Sequence, residues 1–163
     1  MSESLLTDEM VEVLRTFPGT YASAVSANNQ PVLARVIGLG VEDASKDLVR
    51  VHLSEQTGAP LLATLAACPR MALVGVQVTS YRTFQFKGDA VATRPASAED
   101  VSEIEAYVQG FGEFAAHVGI DPTRYSPTYT ERPWTTVLLR VDKIYDQTPK
   151  PGAGALVSER ETT

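Results

Sequence analysis

The chain has 163 residues, 44% of them hydrophobic and 21% charged, with a formal net charge of −6. That length suits one domain able to bury its own core, and the composition excludes a disordered chain. The acidic balance excludes general affinity for nucleic acid or an anionic membrane surface, because no basic excess exists to release counterions.

A single cysteine, Cys68, excludes an internal disulfide framework. The opening MSESLLTDEM has neither a basic start nor a long apolar run, so it does not read as a secretion signal. No stretch nears the ~18 apolar residues of a membrane-spanning helix. The expectation is a cytoplasmic protein without membrane partners.

A first helix begins near Thr7, a capping residue followed by Asp8 and Glu9 at the positive end of the dipole. Met10, Val13, Leu14 and Phe17 give it an apolar face, and Pro18-Gly19 ends it. Tyr21–Ser26 reads as a short strand, Asn28–Pro31 as a hairpin turn, and Val32–Val41 as one continuing strand. Alternation puts Leu33, Arg35, Ile37 and Leu39 on one face. In Leu48–Leu53, Val49, Val51 and Leu53 share one face while Arg50 and His52 share the other.

A second helix follows, with Thr57 as its cap and Pro60 in its first turn. Leu61, Leu62 and Leu65 are its buried side, and Cys68-Pro69 stops it. The thiol is expected to be buried and inert. Met71–Val78 reads as a central strand. In Tyr81–Ala92, Arg82, Phe84 and Phe86 oppose Thr83, Gln85 and Lys87, and Gly88 permits a bulge or a close approach. Ser97–Asp100 resembles a capping box for a third helix. Val101, Ile104, Val108, Phe111, Ala115 and Val118 keep helical spacing, with a break allowed at Gly110 and Gly112. A loop spans 119–133, and Trp134–Tyr145 reads as the last strand.

The expected organisation is one domain over 1–163. It has an N-terminal helix to residue 19, a barrel with inserted helices over 20–145 and an irregular tail over 146–163. The fold class is mostly β, an antiparallel barrel of about six strands with peripheral helices.

Five segments recur in order: Ala34-Arg35-Val36-Ile37; Val51-His52-Leu53; Thr57-Gly58-Ala59 opening a helix; Cys68-Pro69 closing it; and Arg82-Thr83-Phe84-Gln85-Phe86-Lys87-Gly88. Together they resemble the pyridoxamine 5'-phosphate oxidase superfamily of FMN-binding split barrels. The resemblance implies a six-stranded antiparallel split barrel and a homodimer with FMN in a groove between subunits. It also implies oxidoreductase chemistry on a small-molecule substrate or electron donor. By resemblance Arg35 and Val36 contact the flavin nucleotide, and His52, Leu53 and Ser54 line the cofactor. Thr57, Gly58 and Ala59 meet the phosphate, and Arg82 and Thr83 flank the flavin. Gly58-Ala59 stands where that family has an Arg-Lys pair, which leaves backbone N–H groups at a helix N-terminus to receive the anion.

Other readings stand beside these. Arg35 could pair with a carboxylate at the barrel rim. Ser54 and Thr57 could be turn and cap residues only, and Tyr81–Thr83 could be a subunit contact. Trp134 reads as core or interface. His52 and His117 lack the neighbours of a zinc site, although one histidine can hold a haem iron. The alternatives to an FMN enzyme are a non-catalytic sensor or carrier of flavin, deazaflavin or haem, and a scaffold without its cofactor.

Overall fold

The computed structural model describes residues 4–16, 18–121 and 130–160. Phe17 and most of the 119–133 loop lie outside them. Among these residues three helices, α1 (Asp8–Arg15), α2 (Glu55–Ala67) and α3 (Ala98–His117), accompany eight strands. The strands are β1 (Pro18–Val25), β2 (Pro31–Arg35), β3 (Gly38–Asp43), β4 (Leu48–Ser54), β5 (Arg70–Gln77), β6 (Thr83–Pro95), β7 (Trp134–Asp146) and β8 (Ala155–Glu159). Every pairing is antiparallel, in the order β2-β1-β5-β6-β7-β4-β3, with β8 attached to β7. Among the described residues no helix is long and apolar enough to cross a membrane.

The count of eight strands, against six expected, has two causes. The first is a bend in the segment expected to be one strand. β2 pairs with β1 and β3 with β4, so the two ends of the sheet path are consecutive in the chain. At the bend the Val36 N–H donates to the Thr20 carbonyl (3.2 Å) and the Ile37 N–H to the His52 carbonyl (2.9 Å). The bend also shifts the alternation. Ala34 and Val36 face the core before it and Leu39 after it, while Leu33 stands exposed and Ile37 is buried outside the main cluster. A strand that changes sheets at a bend is how such corners are built.

The second cause lies in the tail. It is irregular only as far as Gly154, whose N–H donates to the Asp146 carbonyl (2.7 Å). Gly152 and Gly154, at φ of 89° and 90°, then reverse the chain onto the stretch of β7 beyond the reach of β4. Left-handed backbone costs glycine little.

The first and last described segments meet at one side chain. Asp47 is buried, in left-handed conformation after a 3₁₀ turn over Ala44–Lys46. Its Oδ1 accepts from the N–H groups of Leu5 (2.8 Å) and Leu6 (3.2 Å), and its Oδ2 pairs with Arg160.

The core fills the inner face of the sheet. Val49, Val51 and Leu53 alternate into it as expected, and Leu73, Phe84, Phe86, Val137, Leu139 and Ile144 surround them. Met10, Val13 and Leu14 of α1 and Leu61 and Leu65 of α2 join the same cluster. Each such buried side chain contributes about 1.5–3 kcal/mol relative to exposure. α1 has the predicted cap, Thr7 accepting from the Met10 N–H, but it ends at Arg15 and Pro18 opens β1 instead of terminating a helix. Proline is tolerated as a first strand residue, where no ladder donor is missed.

Candidate functional site

β4 runs directly into α2. Ser54, not Thr57, is the N-cap residue, so Thr57 is the third helical residue and Pro60 lies beyond the first turn. The register of β4 against β7 explains the earlier start. Ser54 stands opposite Trp134, its hydroxyl donates to the Glu131 carbonyl (2.8 Å), and the Glu55 N–H donates to the Pro133 carbonyl (3.0 Å). The Glu55 carboxylate accepts from the Thr135 hydroxyl (2.6 Å). Ser54 therefore makes no side-chain cap bond. Helix geometry leaves the N–H groups of the first turn without intrahelical acceptors. In that turn the Thr57 hydroxyl oxygen is buried and has no hydrogen-bond partner. Gly58 is buried beside it and Ala59 is exposed.

The outward face of β4 is covered by α3. Gly38 and Gly40 let the helix approach. A Cβ at 38 would come within 3.2 Å of the Ile104 backbone, and one at 40 would overlap the Glu103 carboxylate. Arg50, nearly buried, donates to Glu103 (2.6 Å) and Glu99 (3.0 Å), with Glu42 at 3.4 Å and Asp100 at 3.8 Å. His52 is fully buried; Nδ1 is 3.0 Å from the Thr136 hydroxyl and Nε2 2.9 Å from Glu103. Asp100 also completes the predicted capping box with Ser97 and pairs with Arg94. Burial raises the Asp100 carboxyl pKa, but the Arg94 guanidinium and the Ser97 donors outweigh it and hold the group well below the usual carboxylate range. His52, Asp100 and Glu103 are close enough together to ligate a metal ion. The Arg50 guanidinium bonded to Glu103 already supplies a positive charge there.

α3 continues through Gly110 and Gly112 without the break allowed for, and Tyr107, Phe111 and Phe114 line up ring to ring along it at 6.5 and 6.3 Å. Phe111 holds Arg35, whose guanidinium lies 4.9 Å from that ring and 5.8 Å from the Tyr21 ring. Val36 is buried in the core at the β2–β3 bend, and Leu53 is buried beneath α2. Arg82 pairs with Glu9 and with Asp146 (3.1 Å) and stacks on Phe84 (4.8 Å), while the Thr83 hydroxyl donates to the Tyr81 carbonyl (2.8 Å). β6 lies three strands from β2 in the sheet order. One chain thus gathers the end of β4, the first turn of α2 and the β2–β3 bend, but not Arg82 and Thr83.

The corner before β7 holds a further candidate. Arg132 stacks on Trp134 (4.4 Å), adjacent to the Pro133 carbonyl that receives the first N–H of α2. Arg132 also lies 3.6 Å from Glu105, both side chains well exposed. An arginine before a proline, far from the helix in sequence, carried no local signal. Cys68, expected to be buried, is a partly exposed free thiol at the C-cap of α2.

No protein-family model and no curated protein matches the sequence. Solved structures do match in fold. A pyridoxamine 5'-phosphate oxidase-related, FMN-binding protein from Nostoc punctiforme superposes with a TM-score of 0.53 at 13% identity, over 100% of both chains. An FMN-binding protein from Syntrophomonas wolfei gives 0.54 at 14% identity, over 94% of this chain and 89% of that one. The chain has the pyridoxamine 5'-phosphate oxidase-like fold. An F420 reductase shares it, with a TM-score of 0.52 at 12% identity over 85% of this chain and 98% of that one. In this chain's version of the pyridoxamine 5'-phosphate oxidase-like fold, the two ends of the sheet path meet through a bend and not through hydrogen bonds between β2 and β3.

Proposed function

We propose that this chain binds a flavin nucleotide, FMN or the related deazaflavin, and serves as an oxidoreductase for a small-molecule substrate. The observation that carries the reading is the Thr57 hydroxyl, buried and without a partner in the uncapped first turn of α2. A phosphate oxygen there would give the hydroxyl an acceptor and lie at the positive end of the helix dipole. The fold neighbours described as FMN-binding support the choice of ligand.

The fit is good at the backbone and thin in charge. Glu55 places a carboxylate in the same turn, and Gly58-Ala59 supplies no cation. Arg132 is the side chain suited to make up the deficit. Its exposed pairing with Glu105 is of a kind worth about 0–1 kcal/mol, so little opposes its turning to a phosphate. Arg35, at the end of β2, would face the nucleotide with its guanidinium held by two rings. A bound flavin would supply the electron-transfer chemistry, and the chain's residues would anchor the phosphate and orient the ring.

A second copy belongs to the same reading. Tyr21 and Leu33 stand exposed on the outer side of β1 and β2, at 45% and 63%. A partner seated on that face could bring its own Arg82 and Thr83 to the groove that one chain leaves without them. A non-catalytic flavin carrier is the second reading, favoured by the missing Arg-Lys pair. Haem at His52 is disfavoured by its two engaged ring nitrogens.

Fluorescence titration with FMN and with riboflavin tests the proposal. Thr57→Val should weaken FMN by about 1.5–3 kcal/mol, the value of a hydrogen bond to a charged group, and leave riboflavin, which lacks the phosphate, unchanged. Equal FMN affinity in the variant, or no binding of FMN or F420 by the parent protein, would refute it.

A further inference from the structure

A groove of about 490 Å³ lies at the hairpin end of β1 and β2. Val25, Pro31, Met71 and Ala72 give it apolar walls, Cys68 stands at one edge, and Arg70 and Lys87 bring the cations. Cys68 follows the last residue of α2, and a helix of that length spans about 20 Å. The groove is therefore well separated from the first turn of the helix.

Its charges do not balance residue by residue. Arg70 takes Asp142 with both terminal nitrogens and has Asp89 at 3.5 Å. Lys143 takes Glu159. Lys87 stands directly opposite Lys143 in the β6–β7 register, an arrangement of like charges that a sheet ordinarily avoids. Among the described residues no carboxylate lies within ion-pairing distance of Lys87, whose ammonium sits 4.8 Å from the centre of the Tyr145 ring. In a molecule of net charge −6, a partly buried lysine left without an acid at one edge of an apolar groove marks a place for an anion.

We propose that this groove binds a small amphipathic carboxylate, its anionic group received by Lys87 and its apolar body laid against Val25, Pro31, Met71 and Ala72. The chemistry selects this class on two counts. One uncompensated cation matches one negative charge, whereas a phosphate monoester brings close to two. The volume falls within the range of ordinary small-ligand sites, which combine apolar walls with few polar anchors. The site stands independently of any flavin.

The test is displacement of the fluorescent probe 8-anilinonaphthalene-1-sulfonate from the folded full chain by octanoate and, separately, by octanol. Octanoate should displace the probe at a concentration at least tenfold lower than octanol. Lys87→Met should erase that difference and Lys87→Arg should keep it. Ala72→Trp, which fills the groove from the next strand, should abolish probe binding with the thermal midpoint unchanged. Equal potency of octanoate and octanol on the parent protein would overturn the proposal. So would an undiminished octanoate preference in Lys87→Met, or probe binding that survives in Ala72→Trp. Thr57→Val should leave every one of these readings as in the parent, which separates this site from the nucleotide site.

Discussion

A Cβ on Gly88 would overlap the Arg140 carbonyl, because β6 and β7 close on each other where their register shifts between Lys87 and Gly88. Gly88→Ala should therefore cost about 2–3 kcal/mol, the upper range for a single substitution that forces backbone apart. Urea denaturation measures it. The need for glycine at 88 was legible, since it follows the Arg-Thr-x-x-x-x stretch whose alternation fixes Phe84 and Phe86 inward. The position of Thr57 was not. Thr57 beside a later proline reads as a cap, and only the bonds of Ser54 and Glu55 to the distant Glu131–Pro133 segment start the helix earlier. Such contacts join residues nearly eighty positions apart, and no local pattern encodes them.

Among the elements, α3 depends most on charge. Its buried Ile104 and Tyr107 lie outside the main core cluster, and it is held over β4 by the acids around Arg50 and by the Ser97–Asp100 capping box. The depressed pKa of Asp100 fixes the sign of its pH dependence. Its stabilisation is fully present above the unfolded carboxyl pKa, near 4, and is lost as the pH falls through the folded value. Far-UV circular dichroism should show helix loss on acidification, and Asp100→Asn should be less stable at neutral pH by about 1–3 kcal/mol with a flatter acid response. An unchanged acid profile in that variant would mean that other carboxylates carry the effect. The sequence displayed the capping box openly, and the alternation of β4 put Arg50 and His52 on one face. What it hid was the partner of that face. Glu99, Asp100 and Glu103 look like an ordinary solvated helix side until Gly38 and Gly40 bring the helix onto the strand.

For the molecule as a whole, the strand sequence was readable and the passage from one sheet edge to the other was not. Alternation from residue 32 to 41 gave no warning that the chain leaves one edge of the sheet and enters the other, because each half alternates properly on its own. The exposed Leu33 is a product of that bend. If the outer side of β1 and β2 is where a second copy sits, Leu33→Lys should turn a dimer into a monomer in sedimentation velocity without altering the circular dichroism spectrum. A monomeric parent protein would remove the shared groove.

Asp47 bears on how the chain could be rewired. Residues 5, 6 and 160 all reach one carboxylate, so a few glycines would bridge the described ends without disturbing any strand pairing. The Asn28–Gln30 turn, with Asn29 already left-handed, would then be a natural place to cut. A circular permutant opened there should fold to the same strand pairing, since what Asp47 holds together is a neighbourhood in space, indifferent to which residue is numbered first.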